Sequence, residues 1–294
     1  MLNICILMLV LLMLGILWVM LYDSNRFVVV RHEIRDRRIK GHYRVVFLSD
    51  LHNKQYGNNN GQLLETIEKE QPDAVLIGGD MINGKPGEKL DRTINLLRLL
   101  KEKYPVYYAN GNHEHRIKLY PETYGDAAEK YAAALAELGI TPMVNCHVQL
   151  PDIGLAIYGS EIDKYYYKRF TVPRMSEDYL PQLLGQPDPM AYTVLLAHNP
   201  DFFSCYAQWG ADLVLAGHVH GGIVRIPIWG KGVLSPNVRF FPKYDGGIYH
   251  EDNSTMILSR GLGMHTIPFR LFNPGELIVI DFREDGTIAD GKEQ

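Results

Sequence analysis

The chain has 294 residues, 46% of them hydrophobic, which supplies the core of one large α/β domain or two small ones and excludes a disordered polymer. A formal net charge of −4 and a pI near 6.3 give no basic field of the kind duplex nucleic acid binders use, so no nucleic acid partner is expected. Of three cysteines, Cys5 lies in an apolar run, and Cys146 and Cys205 remain as a pair or as two buried thiols, too few for a disulfide-stapled scaffold.

From Met1 to Tyr22 no side chain is charged, and the run is long enough to cross a hydrocarbon core as a helix, with Trp18 and Tyr22 near one interface. A cleaved signal would open with Lys or Arg, have a shorter apolar centre and end in an A-x-A-like site, none of which is present. The expectation is an anchor and joint over residues 1–25, Asp23 to Asn25 being the polar joint, followed by one domain over residues 26–294.

That domain alternates β-branched runs with amphipathic stretches, the pattern of an α/β fold. Strands are predicted at Phe27–Ile34, Tyr43–Asp50, Ala74–Asp80, Val106–Asn112, Tyr192–His198, Asp212–His218, Thr255–Ser259 and Glu276–Phe282. Helices are predicted at Leu63–Glu70, Leu90–Glu102 and Ala127–Leu138 from their apolar spacing.

Five of these strands end on residues able to bind a metal: Asp50 with His52, Asp80, Asn112 with His113, His198, and His218 with His220. In open α/β sheets ligands collect outside the carboxyl ends of strands, so groups spread along the sequence can meet at one edge. Carboxylate, imidazole and amide donors without a thiolate suit manganese, iron, zinc or magnesium and disfavour copper(I) and iron–sulfur clusters. Even without His113, seven donors exceed the needs of one tetrahedral ion and fit two ions sharing a carboxylate.

Taken in order, Asp50-Leu51-His52, Gly79-Asp80, Gly111-Asn112-His113-Glu114, His198 and Gly217-His218-Val219-His220 are similar to the motifs of the calcineurin-like metallophosphoesterases. The resemblance runs from about Tyr43 to the end. Ser259 to Gly263 (S-R-G-L-G) and Asn273 to Glu276 (N-P-x-E) look like a bacterial branch of that family with N-terminal anchors or export signals. The resemblance implies a four-layer α/β sandwich of two mixed β-sheets flanked by helices. It also implies two divalent metal ions, manganese foremost, one held by Asp50, His52 and His220, the other by Asn112, His198 and His218, with Asp80 between them. Phosphodiester, pyrophosphate or phosphomonoester bonds would then be hydrolysed by a hydroxide shared between the ions, with His113 protonating or stabilising the leaving oxygen.

One departure stands out. Phosphoprotein phosphatases continue the second motif as G-D-x-x-D-R-G, whereas Asp80 is followed here by Met81, Ile82, Asn83 and Gly84. Asn83 could accept a hydrogen bond from His113 but would not favour its protonated form as a carboxylate does, so phosphoprotein phosphatase activity is disfavoured. The remaining histidines, His32, His42, His115, His147, His250 and His265, have ordinary structural readings, His115 alone being a candidate for the cleft mouth.

Arg225, Arg260 and Arg270 are candidates for gripping substrate phosphate, since guanidinium forks match phosphate oxygens, with salt bridges as the rival role. The cluster Lys164-Tyr165-Tyr166-Tyr167-Lys168-Arg169-Phe170 could stack a base, touch lipid headgroups or cover a sheet edge. A membrane tether makes a lipid-linked phosphate the favoured substrate class over a free nucleotide. Arg26, Arg31, Arg35, Arg37, Arg38 and Lys40 follow the helix while no basic residue precedes it, which places the domain on the cytoplasmic side. The rival to an enzyme is a non-catalytic membrane-tethered scaffold of the same fold, but such a relative should have lost donors at Asp80, Asn112 or the histidines, and none is lost.

Overall fold

In the computed structural model, which describes residues 1–236, 238–264 and 268–286, the apolar N-terminal run forms one helix, α1 (Leu2–Ser24). It is long and apolar enough to cross a membrane, with a mean hydropathy of 3.1 over its most apolar stretch and none of that stretch buried. Its last residues behave differently. Asp23 and Ser24, expected to belong to a polar joint, are packed into the domain behind the helix.

The first half of the domain runs β1 (Phe27–Asp36), β2 (His42–Leu48), α2 (Gly61–Glu70), β3 (Ala74–Ile77), α3 (Asp91–Lys101), β4 (Val106–Tyr108), α4 (Asn112–Leu119), α5 (Pro121–Tyr124) and α6 (Ala127–Glu137). The second half runs β5 (Cys146–Leu150), β6 (Leu155–Ser160), α7 (Tyr179–Leu184), β7 (Tyr192–Ala197), α8 (Phe203–Trp209), β8 (Leu213–Ala216), β9 (Arg225–Ile226), β10 (Lys231–Gly232), β11 (Gly247–Glu251) and β12 (Ser254–Leu258). A final strand, β13 (Gly275–Glu284), returns to the first sheet and lies between β1 and β2, giving the order β1-β13-β2-β3-β4. The second sheet has the order β11-β12-β8-β7-β6-β5. In the second sheet the central strands are parallel and the antiparallel pairs, β5 with β6 and β11 with β12, lie at the edges; in the first, β1 with β13, β2 with β3 and β3 with β4 are parallel and the central pair β13 with β2 is antiparallel.

Alternation along the strands explains the layering. Val45 and Phe47 of β2 face Val194 and Leu196 of β7 in a core between the two sheets, while Val46 and Leu48 point the other way onto Leu63 and Ile67 of α2 and Leu96, Leu97 and Leu100 of α3. On the far side Leu195 and Ala197 pack with Phe203 and Tyr206 of α8. Every core strand is therefore covered on both faces, and the result is the four-layer sandwich of two mixed sheets that the resemblance implied.

The strands that lead into the motif loops end earlier than predicted, whereas β1 and β13 run two residues longer, to Asp36 and Glu284. Strand β3 stops at Ile77 rather than Asp80, β2 at Leu48 rather than Asp50, and the run predicted as strand to Asn112 stops at Tyr108, Asn112 being the first residue of α4. The ladder ends because the following residues leave the extended region: φ is 52° at Asp50, 90° at Gly79 and 51° at Asp80. Strands β5 and β6 and helices α4, α7 and α8 carry no period long enough to read from sequence. The cysteines are unpaired, Cys146 being exposed rather than buried.

Candidate active site

Parallel strands β2, β3 and β4 of one sheet and β7 and β8 of the other all end at one edge of the sandwich, and the loops beyond them carry the seven predicted donors. Sharp turns bring these side chains inward. Asp50, His52, Asp80, His218 and His220 all have positive φ, between 49° and 72°, a conformation that costs non-glycine residues of order 1 kcal/mol or more each and concentrates at functional sites. Glycines make room for the convergence: a Cβ on Gly111 would lie 2.2 Å from Asp80 Oδ1, and one on Gly217 would lie 2.2 Å from Asp50 Oδ2.

Three donor triads form, each with its ligand atoms within 4.8 Å of one another: Asp50, His52 and His220; Asp80, His198 and His218; and His52, Asp80 and His113. Asp50 Oδ1 lies 3.3 Å from His220 Nε2 and 3.9 Å from His198 Nε2, and Asp80 Oδ2 lies 3.0 Å from His198 Nε2 and 3.7 Å from His113 Nε2. The ring orientations are held from behind. His198 Nδ1 meets the Gly78 carbonyl at 2.8 Å and His52 Nδ1 meets the Ile82 carbonyl at 3.2 Å, so both Nε2 atoms are directed into the cluster.

The carboxylates are anchored with the same care. Asp50 Oδ2 accepts from Ser49 Oγ at 2.6 Å, and its Oδ1 accepts from the His218 N–H at 2.9 Å. Asp80 Oδ1 accepts from the His113 N–H at 2.8 Å, leaving Oδ2 toward the imidazoles. Behind them the buried Glu114 carboxylate accepts from the N–H groups of Asp80 (2.9 Å), Met81 (2.8 Å) and Gly111 (3.0 Å) and from the Tyr108 hydroxyl (3.1 Å). Glu114 thus joins the second and third motif loops, a role the sequence did not reveal beyond its place in G-N-H-E.

A metal fit can be judged from the residues themselves. Asn112 Oδ1 is buried with no hydrogen-bond partner, although a carbonyl oxygen so placed normally finds one. Together with two carboxylates and the imidazoles it makes a hard-to-borderline donor set suited to divalent ions. The electrostatics agree. Burial pushes the Asp50 carboxyl up to about 6, and while burial lowers the His198 pKa, Asp80 and Asp50 override it and raise it to about 10. The cluster is short of positive charge.

His113, a member of the third triad, has its Nδ1 facing the main-chain carbonyl of Asn83. The side chain of Asn83, expected to be the partner, instead donates to the His52 carbonyl at 3.0 Å and to Glu88 Oε1 at 2.9 Å. Arg116, one helical turn beyond His113, donates to the Asn83 and Gly84 carbonyls at 3.2 and 3.0 Å. Burial, then Arg116 after the opposing pull of Asp80, holds the His113 pKa below its ordinary value.

The cleft over the cluster has a volume of about 220 Å³ and is lined by His113, His115, Arg116, Tyr120, Lys164, Tyr167 and Arg169 among others. Tyr167 stands edge-on to His218 at 5.3 Å and forms one wall. His115 is at the cleft, as its position beyond His113 suggested. The three arginines proposed for phosphate are elsewhere: Arg260 pairs with Glu276 at 3.1 Å, Arg225 donates to the Gly221 and Asp245 carbonyls at 3.1 and 2.8 Å, and buried Arg270 donates to the Arg260 and Gly261 carbonyls at 2.8 and 3.1 Å. Their donors are consumed in bracing the C-terminal loops. The cleft's own cations among the described residues are Arg116, Lys164 and Arg169, of which only the last two stand out in the sequence, as part of an aromatic-basic run.

Residues 43–222 match the calcineurin-like phosphoesterase family. The chain belongs to that family. An uncharacterised metallophosphoesterase of Bacillus subtilis, YkuE, is 27% identical over 82% of this chain and 79% of its own length. A Helicobacter pylori metallophosphoesterase is 29% identical over 80% of this chain, which spans 58% of that longer relative. The Escherichia coli phosphodiesterase YaeI is 24% identical over 71% of this chain and 72% of its own. This family member is a phosphoester hydrolase, and its clustered aspartates and histidines are groups suited to divalent metals.

Proposed function

We propose that the protein is a dinuclear, metal-dependent phosphoesterase that cleaves phosphodiester or pyrophosphate bonds of a substrate carried in a membrane. The observation that carries the reading is the convergence of the triads on Asp50 and Asp80 at the floor of a basic cleft. Asp50, His52 and His220 would hold one ion and Asn112, His198 and His218 the other, with Asp80 shared. Such a pair supplies a nucleophile near neutral pH and neutralises charge on the phosphoryl oxygens.

The protein's own groups do the rest. Arg116, Lys164 and Arg169 bind and orient the phosphate, and His113 delivers a proton from Nε2 to the leaving oxygen while Nδ1 is held by the Asn83 carbonyl. A cleft of about 220 Å³ is smaller than one that engulfs a whole drug-sized ligand, so the remainder of the substrate extends out of it. The relative named a phosphodiesterase favours diester over monoester cleavage. An exposed apolar α1 and the arginines that follow it favour a lipid-linked substrate met on the cytoplasmic face.

The test is metal analysis of purified protein with a hydrolysis panel of aryl phosphodiester, pyrophosphate and monoester substrates. Two equivalents of divalent metal and chelator-sensitive diester cleavage, restored by manganese, are expected. Activity unchanged by exhaustive chelation would overturn the reading.

A further inference from the structure

Beyond α1, the largest group of exposed apolar side chains among the described residues lies between Ile228 and Phe241. Ile228 is 90% exposed, Trp229 74%, Phe240 71% and Phe241 62%. Exposed side chains of this size are unremarkable singly, but four in a short stretch of loop mark a contact surface. Ile228 and Trp229 lie in the hairpin β9–β10 and Phe240 and Phe241 in the segment that follows it, all in the C-terminal quarter.

Their position is fixed by a chain of main-chain bonds that ends at the foot of α1. Phe241 N–H donates to the Val233 carbonyl at 2.9 Å, Val233 N–H to Val224 at 2.8 Å, and Arg225 N–H to Leu271 at 3.0 Å. Two residues on, Asn273 N–H donates to Asp23 Oδ2 at 3.1 Å, and Arg270 N–H donates to Ser24 Oγ at 2.9 Å. At about 4.8 Å per ladder step, the Phe241 backbone lies within roughly 15 Å of Leu271, in the segment that meets the foot of the helix. The patch also adjoins the cleft: Pro236, in the same loop, lines it. Across the cleft Phe170 is 66% exposed beside Arg169, continuing an aromatic and basic rim.

We infer that the loop carrying Ile228, Trp229, Phe240 and Phe241 is a second membrane contact, a platform that dips into the bilayer interface next to the anchor and holds the cleft mouth against the lipid surface. The inference rests on reading α1 as a membrane span. The occupant is lipid because main-chain bonds tie the patch to the segment that holds the foot of the apolar helix, and because aromatic side chains with Lys231, Lys243 and Arg169 near them in the chain or on the cleft rim match an interfacial zone with anionic headgroups. The helix and the platform are two points of attachment, and two points fix a tilt that one tether leaves free. A phosphate displayed at the headgroup level then meets the cleft without leaving the membrane.

Tryptophan quenching tests this on the full chain, whose three tryptophans are Trp18, Trp209 and Trp229. The protein is reconstituted into phosphatidylcholine–phosphatidylglycerol vesicles whose acyl chains carry bromine, and the share of emission from each indole is read as the loss on Trp18→Phe or Trp229→Phe. Bromolipid should extinguish most of the Trp18 share and most of the Trp229 share. Changing Ile228, Phe240 and Phe241 together to Ser should release Trp229 from quenching and leave Trp18 quenched. Quenching of Trp18 without Trp229 would keep the span and overturn the platform. If neither indole is quenched, the span fails and the platform with it. Trp229 shielded from aqueous iodide but untouched by bromolipid would assign the patch to a protein surface, a second copy included, and would also overturn the inference.

Discussion

Arg116 Nη2 lies 3.0 Å from His113 Nδ1, and both residues address the same Asn83 main-chain carbonyl. His113, the proposed proton donor, is therefore oriented by backbone and flanked by a fixed cation. Because the carbonyl does the orienting, Asn83→Ala should cost only a few-fold in turnover of an aryl phosphodiester. Arg116→Gln should cost more, mainly in KM, since one guanidinium less remains to grip phosphate oxygens. A large kcat loss in Asn83→Ala with normal KM in Arg116→Gln would reverse these assignments.

His113→Ala should depend on the leaving group. Alkoxides need a proton and should suffer by about 10²–10⁴, the usual range for general acid catalysis, whereas nitrophenolate departs without one and should suffer far less. Equal losses on both substrates would remove His113 from the proton-transfer role.

Asp80→Asn and Asn112→Ala should each reduce diester hydrolysis by on the order of 10²–10³ or more, the cost of losing one preorganised charge-stabilising group. Metal content measured on the same samples should fall in both. Wild-type rates in either variant, after stripping and readdition of manganese, would exclude the proposed ligand set.

Glu114 is a positioning residue. Glu114→Gln replaces an acceptor of four N–H groups by an amide that brings donors of its own, and an unpaired buried donor costs about 1–3 kcal/mol. Activity should drop by about 10–100-fold, as for other outer-shell partners, with reduced metal affinity and a lower melting temperature. Unchanged melting and metal affinity would mean the loops hold themselves.

Much of this site was legible in the sequence because its chemistry is written at strand ends: Asp50, Asp80, His198 and His218 each follow an apolar β-branched run, and the parallel order of those runs sends them to one edge. What was not legible depends on contacts between distant segments. Asn83 looked like a side-chain partner, but only the structure shows that its carbonyl faces His113. Arg225, Arg260 and Arg270 looked like phosphate ligands because composition cannot show that Glu276 and a set of carbonyls already occupy them. Arg116 could have been found from the helical spacing after His113 had α4 been recognised, but a helix of 8 residues has too little period to announce itself. The burial of the joint's polar residues was likewise not legible, because the segment that covers them lies some 250 positions away.

That buried joint decides where the protein can be cut. Asp23 Oδ2 accepts from the Asn273 N–H and Ser24 Oγ from the Arg270 N–H, while the Asn273 side chain donates to the His220 carbonyl at 2.7 Å and Arg270 Nη2 lies 3.5 Å from His220 Nδ1. The foot of the helix is thus two contacts from a proposed metal ligand. A truncation that begins at Asp23 keeps these bonds and should turn over a soluble aryl diester at close to the full-length rate. A truncation that begins at Arg26 removes both acceptors, each hydrogen bond contributing about 0.5–1.5 kcal/mol and more where a charged carboxylate accepts, so it should melt earlier and lose activity several-fold. Asp23→Ala in the full-length chain should reproduce part of that loss without touching the anchor. If both truncations and Asp23→Ala match full-length protein in melting temperature and diester turnover, the foot of α1 bears on the metal site in geometry alone.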